Sequence, residues 1–508
     1  MQPHDTSRSA SLHERQNRRR VAPAGFTVAR IDLRETWEPK PGDRVIRHPR
    51  QEELEPVRVT VEQRRVQSRA VASPLIIIYT FAALIAIGTV LLSLPFTHVG
   101  GGFTPFMVAL FTSTSAVTVT GLVVRDTAAY WTTGGQAILL ALMFVGGLGF
   151  MTLATFLLIL IGQRVTLTQR LLIREGLGVR QLGGLVGLSM RIVALAVGIQ
   201  IVGFVALAIR FWFLYDPGEA LWQAAFHAVS GFNNGGFIIF KEEGGTAAFK
   251  SDGAVIGVIM VLTILGGLSY AVMVDVAKNR KFTLLGLNTK LVLIMTPLLL
   301  ALGMGLFLAF EYQNAGTLGD LSVGEKLTSA LFESVNTRSG GFSVVDYTAT
   351  KQHTNFIMTS FMFVGGASAS VAGGIKINTA AVVLVAVLST IRGRAHASAF
   401  GREIAEEQVR RALVVGAIST VIVFVIVLLL VFTNSEFDFL SLLFDAVSAF
   451  GTVGLSTGIT EKLSASGQFI LVIAMFVGRI GPFALGLALT QRSERDRLRF
   501  AQEHVTIG

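Results

Sequence analysis

Four short strings in this 508-residue chain combine hydroxyl, amide and glycine residues in a pattern suited to holding a cation stripped of water. They are Ser115-Ala-Val-Thr-Val-Thr-Gly121-Leu122, Ser230-Gly-Phe-Asn-Asn-Gly-Gly236-Phe237, Asn336-Thr-Arg-Ser-Gly-Gly341-Phe342 and Ser448-Ala-Phe-Gly-Thr-Val-Gly454-Leu455. Each follows a phenylalanine (Phe111, Phe226, Phe332, Phe444) by a few residues and closes on glycine and then Leu or Phe. The closing glycines are spaced by 115, 105 and 113 residues, and the third string is one residue shorter between its Phe and its Gly. One such string reads as a turn. Four at a near-constant interval read as an internal repeat.

A cation crossing a membrane must exchange its hydration shell for oxygen ligands, and rings of backbone carbonyls can supply them. The carbonyls face inward only if the backbone is tight and extended, which glycine tolerates. Non-helical backbone at membrane depth is admissible where it lines an aqueous path. Competing chemistries find no support in the residues. Cysteine is absent, which excludes disulfides, thiolate metal sites and cysteine nucleophiles. The eight histidines are scattered, with no H-E-x-x-H and no phosphate-binding loop, so an intramembrane enzyme remains only a remote alternative. The metal chemistry left is a cation held by backbone carbonyls at the strings, and no bound cofactor is evident.

The elements that must position the strings follow from composition. The chain is 52% hydrophobic and 15% charged, with a mean hydropathy of +0.61; soluble domains average roughly 25% charged residues. The fold class is therefore an all-α polytopic membrane protein, in contact with lipid. Apolar stretches long enough to span, about 20 residues each, run approximately 74–96, 135–161, 190–214, 253–277, 288–310, 354–391, 409–433 and 467–490. Between successive pairs lie shorter apolar pieces, Pro105–Ser115, Ala220–Ser230, Lys326–Asn336 and Phe437–Ser448, which read as re-entrant helices ending at the strings. Their C-terminal partial negative charges then face the strings and favour a cation.

Net charge is +10. In a soluble protein this would raise nucleic acid as a partner, but the bases sit where the positive-inside rule wants them, so no nucleic-acid partner is assigned. They cluster in the Arg-rich opening segment, in connections holding Arg164, Arg170, Arg174 and Arg180, then Lys278, Arg280, Lys281 and Lys290, then Arg392, Arg394, Arg402, Arg410 and Arg411, and in the tail after the last span. Both termini are thus expected in the cytoplasm. The organisation expected is 1–71 basic cytoplasmic segment, repeats at 72–175, 176–285, 286–400 and 401–491, and a cytoplasmic tail at 492–508.

Thr118-Val-Thr-Gly-Leu122, Phe232-Asn-Asn-Gly-Gly-Phe237 and Phe450-Gly-Thr-Val-Gly-Leu455 resemble the selectivity-filter strings of the Trk/Ktr/HKT superfamily of potassium transporters. The resemblance covers the chain after about residue 72, and eight spans without an extra N-terminal pair look more like the KtrB branch. It implies four helix–pore helix–filter loop–helix repeats around one pseudo-fourfold pore, carrying K⁺ inward across the cell membrane, with Na⁺ permeation or coupling as the alternative. The filter residues it implies are Thr118, Val119, Thr120 and Gly121; Asn233, Asn234, Gly235 and Gly236; Arg338, Ser339, Gly340 and Gly341; and Gly451, Thr452, Val453 and Gly454. Relatives that favour Na⁺ can carry Ser at the first of these glycines, so Gly121 points to K⁺. The resemblance also implies a homodimer and a cytoplasmic nucleotide-binding regulatory ring (KtrA-like), for which the basic loops would be a docking surface.

The long sixth span is interrupted by Gly365-Gly-Ala-Ser-Ala-Ser-Val-Ala-Gly-Gly-Ile-Lys376. Each glycine costs a helix roughly 1 kcal/mol relative to Ala, so this segment should unwind inside the membrane. It resembles the loop that closes the pore beneath the filter in the same superfamily, and Gly365, Gly366, Ala369, Ser370, Gly373, Gly374 and Lys376 are its gate candidates. Arg479 lies mid-span, where a cation costs about 2.5–3.5 kcal/mol unless it meets a partner or a cavity; the resemblance sets it against the loop. Glu333 and Asp445, with Thr112 and His227 as counterparts, are expected to brace loop backbone and neutralise Arg338. Gly146-Gly147-Leu-Gly149 and Gly266-Gly267 are read as close helix packing.

Overall fold

The computed structural model describes residues 75–148, 185–242 and 244–481. The Arg-rich opening segment, the basic connection around Arg164 to Arg180, Gly149, the second half of the second expected span and the tail from 492 lie outside the described residues.

The all-helical expectation holds there, apart from a two-residue β-ladder that pairs Ser398 with Glu403 and Ala399 with Arg402. The helices are α1 (Leu75–Leu92), α2 (Phe106–Thr118), α3 (Thr133–Leu148), α4 (Leu185–Phe211), α5 (Pro217–Phe232), α6 (Gly253–Gly267), α7 (Tyr270–Asn279), α8 (Leu287–Glu311), α9 (Val323–Asn336), α10 (Gln352–Met362), α11 (Ile377–Ile391), α12 (Glu406–Thr433), α13 (Phe439–Gly451) and α14 (Ala465–Ile480). Three stretches are uninterrupted and apolar enough to cross a membrane among the described residues: Met190–Phe211, Leu287–Glu311 and Glu406–Thr433. Their outer faces carry exposed Val202, Phe424 and Phe432, as a lipid-facing surface requires.

The short helices α2, α5, α9 and α13 start where local chemistry dictates. Pro217 occupies the first turn of α5, Ser322 and Glu325 form a reciprocal capping box on α9, and Asp438 caps α13 through the Leu440 amide. Caps of this kind are worth about 1 kcal/mol each. Unlike the long helices, these four are buried through their C-terminal halves, and their shared phenylalanines Phe111, Phe226, Phe332 and Phe444 are all fully enclosed. Each such ring contributes roughly 1.5–3 kcal/mol of burial, which holds the helix ends in register with the strings that follow.

The fourth expected span, 253–277, is not straight. It breaks after Gly267, and α6 and α7 meet at 95°. The small-residue packing read from Gly266-Gly267 is only part of their use. A Cβ at Gly266 would lie 1.8 Å from the Phe232 carbonyl oxygen, so α6 does press on the end of α5. The carbonyls of Gly266 and Gly267, however, accept from the amides of Val371 and Ala367, donors from a segment a hundred residues away. That long-range pairing replaces the intrahelical bonds and lets the helix turn. Gly146 and Gly478 make the same close approach, to the Val117 and Phe450 carbonyls at the ends of α2 and α13.

Candidate functional site

Each string leaves its short helix by a tight left-handed exit. The residue two before the closing glycine has positive φ in all four, Val119 at +55°, Asn234 at +56°, Ser339 at +134° and Thr452 at +48°. The closing glycines follow at +91°, +67°, +75° and +95° for Gly121, Gly236, Gly341 and Gly454. Three exits share a backbone bond spanning five residues: Thr120 to the Ser115 carbonyl, Gly235 to Ser230, and Val453 to Ser448, at 2.8, 2.7 and 2.8 Å. This is the Schellman closure of a helix C-terminus. In the third string Gly340 donates to Asn336 at 2.8 Å, four residues back. The missing residue is therefore absorbed at the helix exit, and Gly341 keeps the same place as the other three.

The four glycines, separated by more than a hundred residues each, meet. A Cβ at Gly121 would lie 2.7 Å from the Gly235 carbonyl oxygen, one at Gly236 3.2 Å from Gly340 O, one at Gly341 2.8 Å from Val453 O, and one at Gly454 2.2 Å from Thr120 O. The carbonyl oxygen of the residue preceding each glycine thus lies beside the closing glycine of another string. No described residue donates a hydrogen bond to any of these four oxygens. Buried carbonyls are nearly always paired, so four neighbouring ones left free form a ready set of hard oxygen ligands, with no side chain between them. The hydroxyls of Ser115 and Ser448 accept from the Gly121 and Gly454 amides at 3.0 and 3.1 Å. Sequence reasoning quoted both serines without assigning them a task; the signal was their recurrence six residues before the glycine.

In the second, third and fourth strings the chain beyond the glycine is tied back to its short helix at one recurring place, the residue after the shared phenylalanine. Glu333 accepts from the Val344 amide at 2.8 Å, from Ser343 and from Tyr347. Asp445 accepts from the Thr457 amide at 3.0 Å and from Ser456 and Thr460. The Ile239 amide donates to His227 Nε2 at 3.3 Å, while the other ring nitrogen donates to the Gln223 carbonyl. Thr112 is buried at the corresponding point of α2. The carboxylates do brace backbone, but the expected neutralisation of Arg338 does not occur. The oxygens of Glu333 are committed to the loop, and Arg338 instead donates through Nη2 to the Gly365 carbonyl at 2.9 Å. Of the third string, then, Ser339, Gly340 and Gly341 border the centre with their backbone, whereas the Arg338 side chain leaves it.

Between α10 and α11 the chain is unwound. Gly365 donates to Ile375 and Ile377 to Gly366, at 2.9 Å each, closing a loop across residues 365–376. The loop lies against the fourth string. A Cβ at Gly373 would lie 2.1 Å from Thr452 Oγ1, and one at Gly374, whose φ is +64°, would lie 3.2 Å from the Gly451 Cα. Ala369, with φ +60°, is exposed, Ser370 half-buried, and Gly366 presses on the Gly267 carbonyl. Lys376 donates to the Ala372 carbonyl within the loop. Arg479 of α14 donates to two carbonyls, Val371 in the loop and Gly146 at the end of α3, the latter at 2.5 Å. Among the described residues no cluster of His, Asp and Glu could hold a metal ion.

Residues 56–498 match the family model of TrkH, described as cation transport protein. The chain is 36% identical over 435 residues to Ktr system potassium uptake protein B of Bacillus subtilis, covering 86% of this chain and 96% of the relative. It is 37% identical to the Vibrio alginolyticus protein of the same name, over 86% and 95% of the two chains. A potassium/sodium uptake protein, NtpJ of Enterococcus hirae, is 33% identical over 89% of this chain and all of the relative. The crystal structure of the potassium transporter TrkH from Vibrio parahaemolyticus superposes with a TM-score of 0.65 at 17% identity, over 84% of this chain and 87% of that one.

Proposed function

The chain belongs to the TrkH family of cation transport proteins and is a multi-pass membrane protein, and on that premise we propose that it carries K⁺ into the cell through one pore lined by the four strings. The observation that carries the reading is the convergence of the Thr120, Gly235, Gly340 and Val453 carbonyls, unpaired and flanked by glycines that leave no side chain in the way. Four carbonyl dipoles and four helix C-termini replace part of a cation's hydration shell and repel an anion. The four units 72–175, 176–285, 286–400 and 401–491 each supply one wall.

The loop 365–376 is the gate in this reading. It lies against the fourth string, and Arg479 fixes it while placing a positive charge beside it, which raises the barrier to a cation while the loop is closed. The chain sits in the cell membrane with both termini in the cytoplasm, as the Lys/Arg distribution favours. Two relatives are named for a Ktr system, which supports a separate cytoplasmic nucleotide-binding subunit acting on a dimer of this chain; anionic lipid headgroups would compete for the same basic connections.

The relative named for both potassium and sodium favours a second reading, in which Na⁺ also passes or drives uptake. Rubidium uptake into vesicles carrying the purified protein, competed by K⁺ and by Na⁺, tests both. Inhibition by K⁺ far below the effective Na⁺ concentration supports the first reading. Equal inhibition supports the second, and no uptake removes both.

A further inference from the structure

We propose that Arg338 is a positioning residue that latches the closed intramembrane loop to the third string, a role that rests on the reading of that loop as a gate. Arg338 is 8% exposed, and its guanidinium has no carboxylate partner among the described residues. A buried unpaired cation is expensive, so what it does hold matters. Its one bond goes to the Gly365 carbonyl. Gly365 is also the point where the loop closes, since its amide donates to Ile375 at 2.9 Å. Arg338 therefore holds the loop at Gly365, the residue through which its two ends are joined, whereas Arg479 holds its middle at Val371.

The latch continues into the strings on both sides. Next to Arg338, Ser339 donates from its hydroxyl to the Thr452 carbonyl at 3.1 Å. The Thr452 side chain in turn presses on Gly373 of the loop. Third string, loop and fourth string thus form a closed circuit: Arg338 to Gly365, Gly373 to Thr452, Thr452 to Ser339. The loop cannot leave without breaking the arginine bond or pulling the third string with it. A cavity of about 30 Å³, the size of a water molecule, borders Arg338 together with Asn234, Thr263, Gly267, Thr296 and Gly366. The Arg338 Nε and the Asn234 Oδ1, on two residues that line it, are buried without a hydrogen-bond partner.

The test uses the cysteine-free background. Ala372 is 1% exposed inside the loop, so a cysteine there reports loop opening. In membranes carrying Ala372→Cys, its reaction with a membrane-impermeant thiol reagent is timed with Arg338 intact and in the variants Arg338→Gln, Arg338→Met and Arg338→Lys. A hydrogen bond from a charged donor is strong enough that its loss should speed labelling about tenfold or more in the Gln and Met variants. The Lys variant, which keeps a charged donor, should stay within about threefold of the parent. Met replaces the aliphatic part of the Arg side chain and buries no unpaired polar group, so it carries the test if the Gln variant does not insert. Labelling at the parental rate in an inserted Gln or Met variant overturns the latch, as does Lys labelling as fast as Met. Rubidium flux is read in the same membranes. Faster labelling with no flux in any protein would sink the transport reading and leave the latch standing; flux with unchanged labelling sinks the latch alone.

Discussion

Alanine at Gly454 is the sharpest perturbation of the proposed ring. A Cβ there would lie 2.2 Å from the Thr120 carbonyl oxygen and 3.0 and 3.1 Å from the Cα atoms of Gly341 and Gly121. Carbon–oxygen contacts ordinarily fall at about 3.3 Å or longer, so roughly 1 Å must be recovered by moving backbone. The atom in the way is the carbonyl proposed to hold the ion. Two penalties combine. Holding a non-glycine residue at φ +95° costs of order 1–3 kcal/mol. Turning one of four ligands off the ion removes a charge-assisted contact worth roughly 1.5–3 kcal/mol, or about 10- to 100-fold in preference. Gly102→Ala separates the two: Gly102 has φ +84° but nothing within 4 Å of its Cβ position. Competitive uptake of rubidium against sodium should show the K⁺-like preference reduced about 10- to 100-fold by Gly454→Ala and unchanged by Gly102→Ala. Equal selectivity in the two inserted variants would refute the placement of Thr120 O and Gly454 on the ion path.

Arg479→Ala removes both bonds to Val371 and Gly146 and the charge beside the loop, so flux should rise about tenfold or more, with selectivity retained. Combined with deletion of Val371–Gly373 it should be no faster than the better single change, and flux at the parental rate would make Arg479 a structural brace. Glu333→Gln leaves one donor of Val344, Ser343 and Tyr347 without a carboxylate oxygen; the thermal midpoint of the detergent-solubilised protein should fall, by the equivalent of about 1–3 kcal/mol, and an unchanged midpoint would show the brace to be idle. For topology, Ala465→Cys at the exposed start of α14 should react with an impermeant reagent from outside and Ser493→Cys from inside. Reaction of both from one side would break the orientation.

What could be read from the sequence was whatever the chain encodes locally. The strings were visible because glycine recurs beside a fixed phenylalanine, and the short helices because their apolar pieces are too short to span. The 95° break after Gly267 was not legible, because it depends on amides of Ala367 and Val371 that only the fold brings near. The partner of Arg338 was misread for a related reason. Glu333 stands five residues before it and suggests an ion pair, but that carboxylate is already taken by three donors beyond Phe342, and a backbone carbonyl from another span receives the guanidinium. The third string's missing residue is visible in the sequence, but where it is taken up is not: its exit is a four-residue rather than a five-residue closure. Periodicity reports on elements; the contacts between distant loops are set by tertiary packing.

The central claim is that the carbonyls of Thr120, Gly235, Gly340 and Val453 hold the transported cation. Anomalous diffraction from crystals of this protein grown in rubidium or thallium salt locates that ion directly. The account predicts a peak within coordination distance of all four oxygens, lost when sodium replaces the heavier ion and displaced or weakened in Gly454→Ala. A strong peak elsewhere along the chain, with none between these carbonyls, would contradict it.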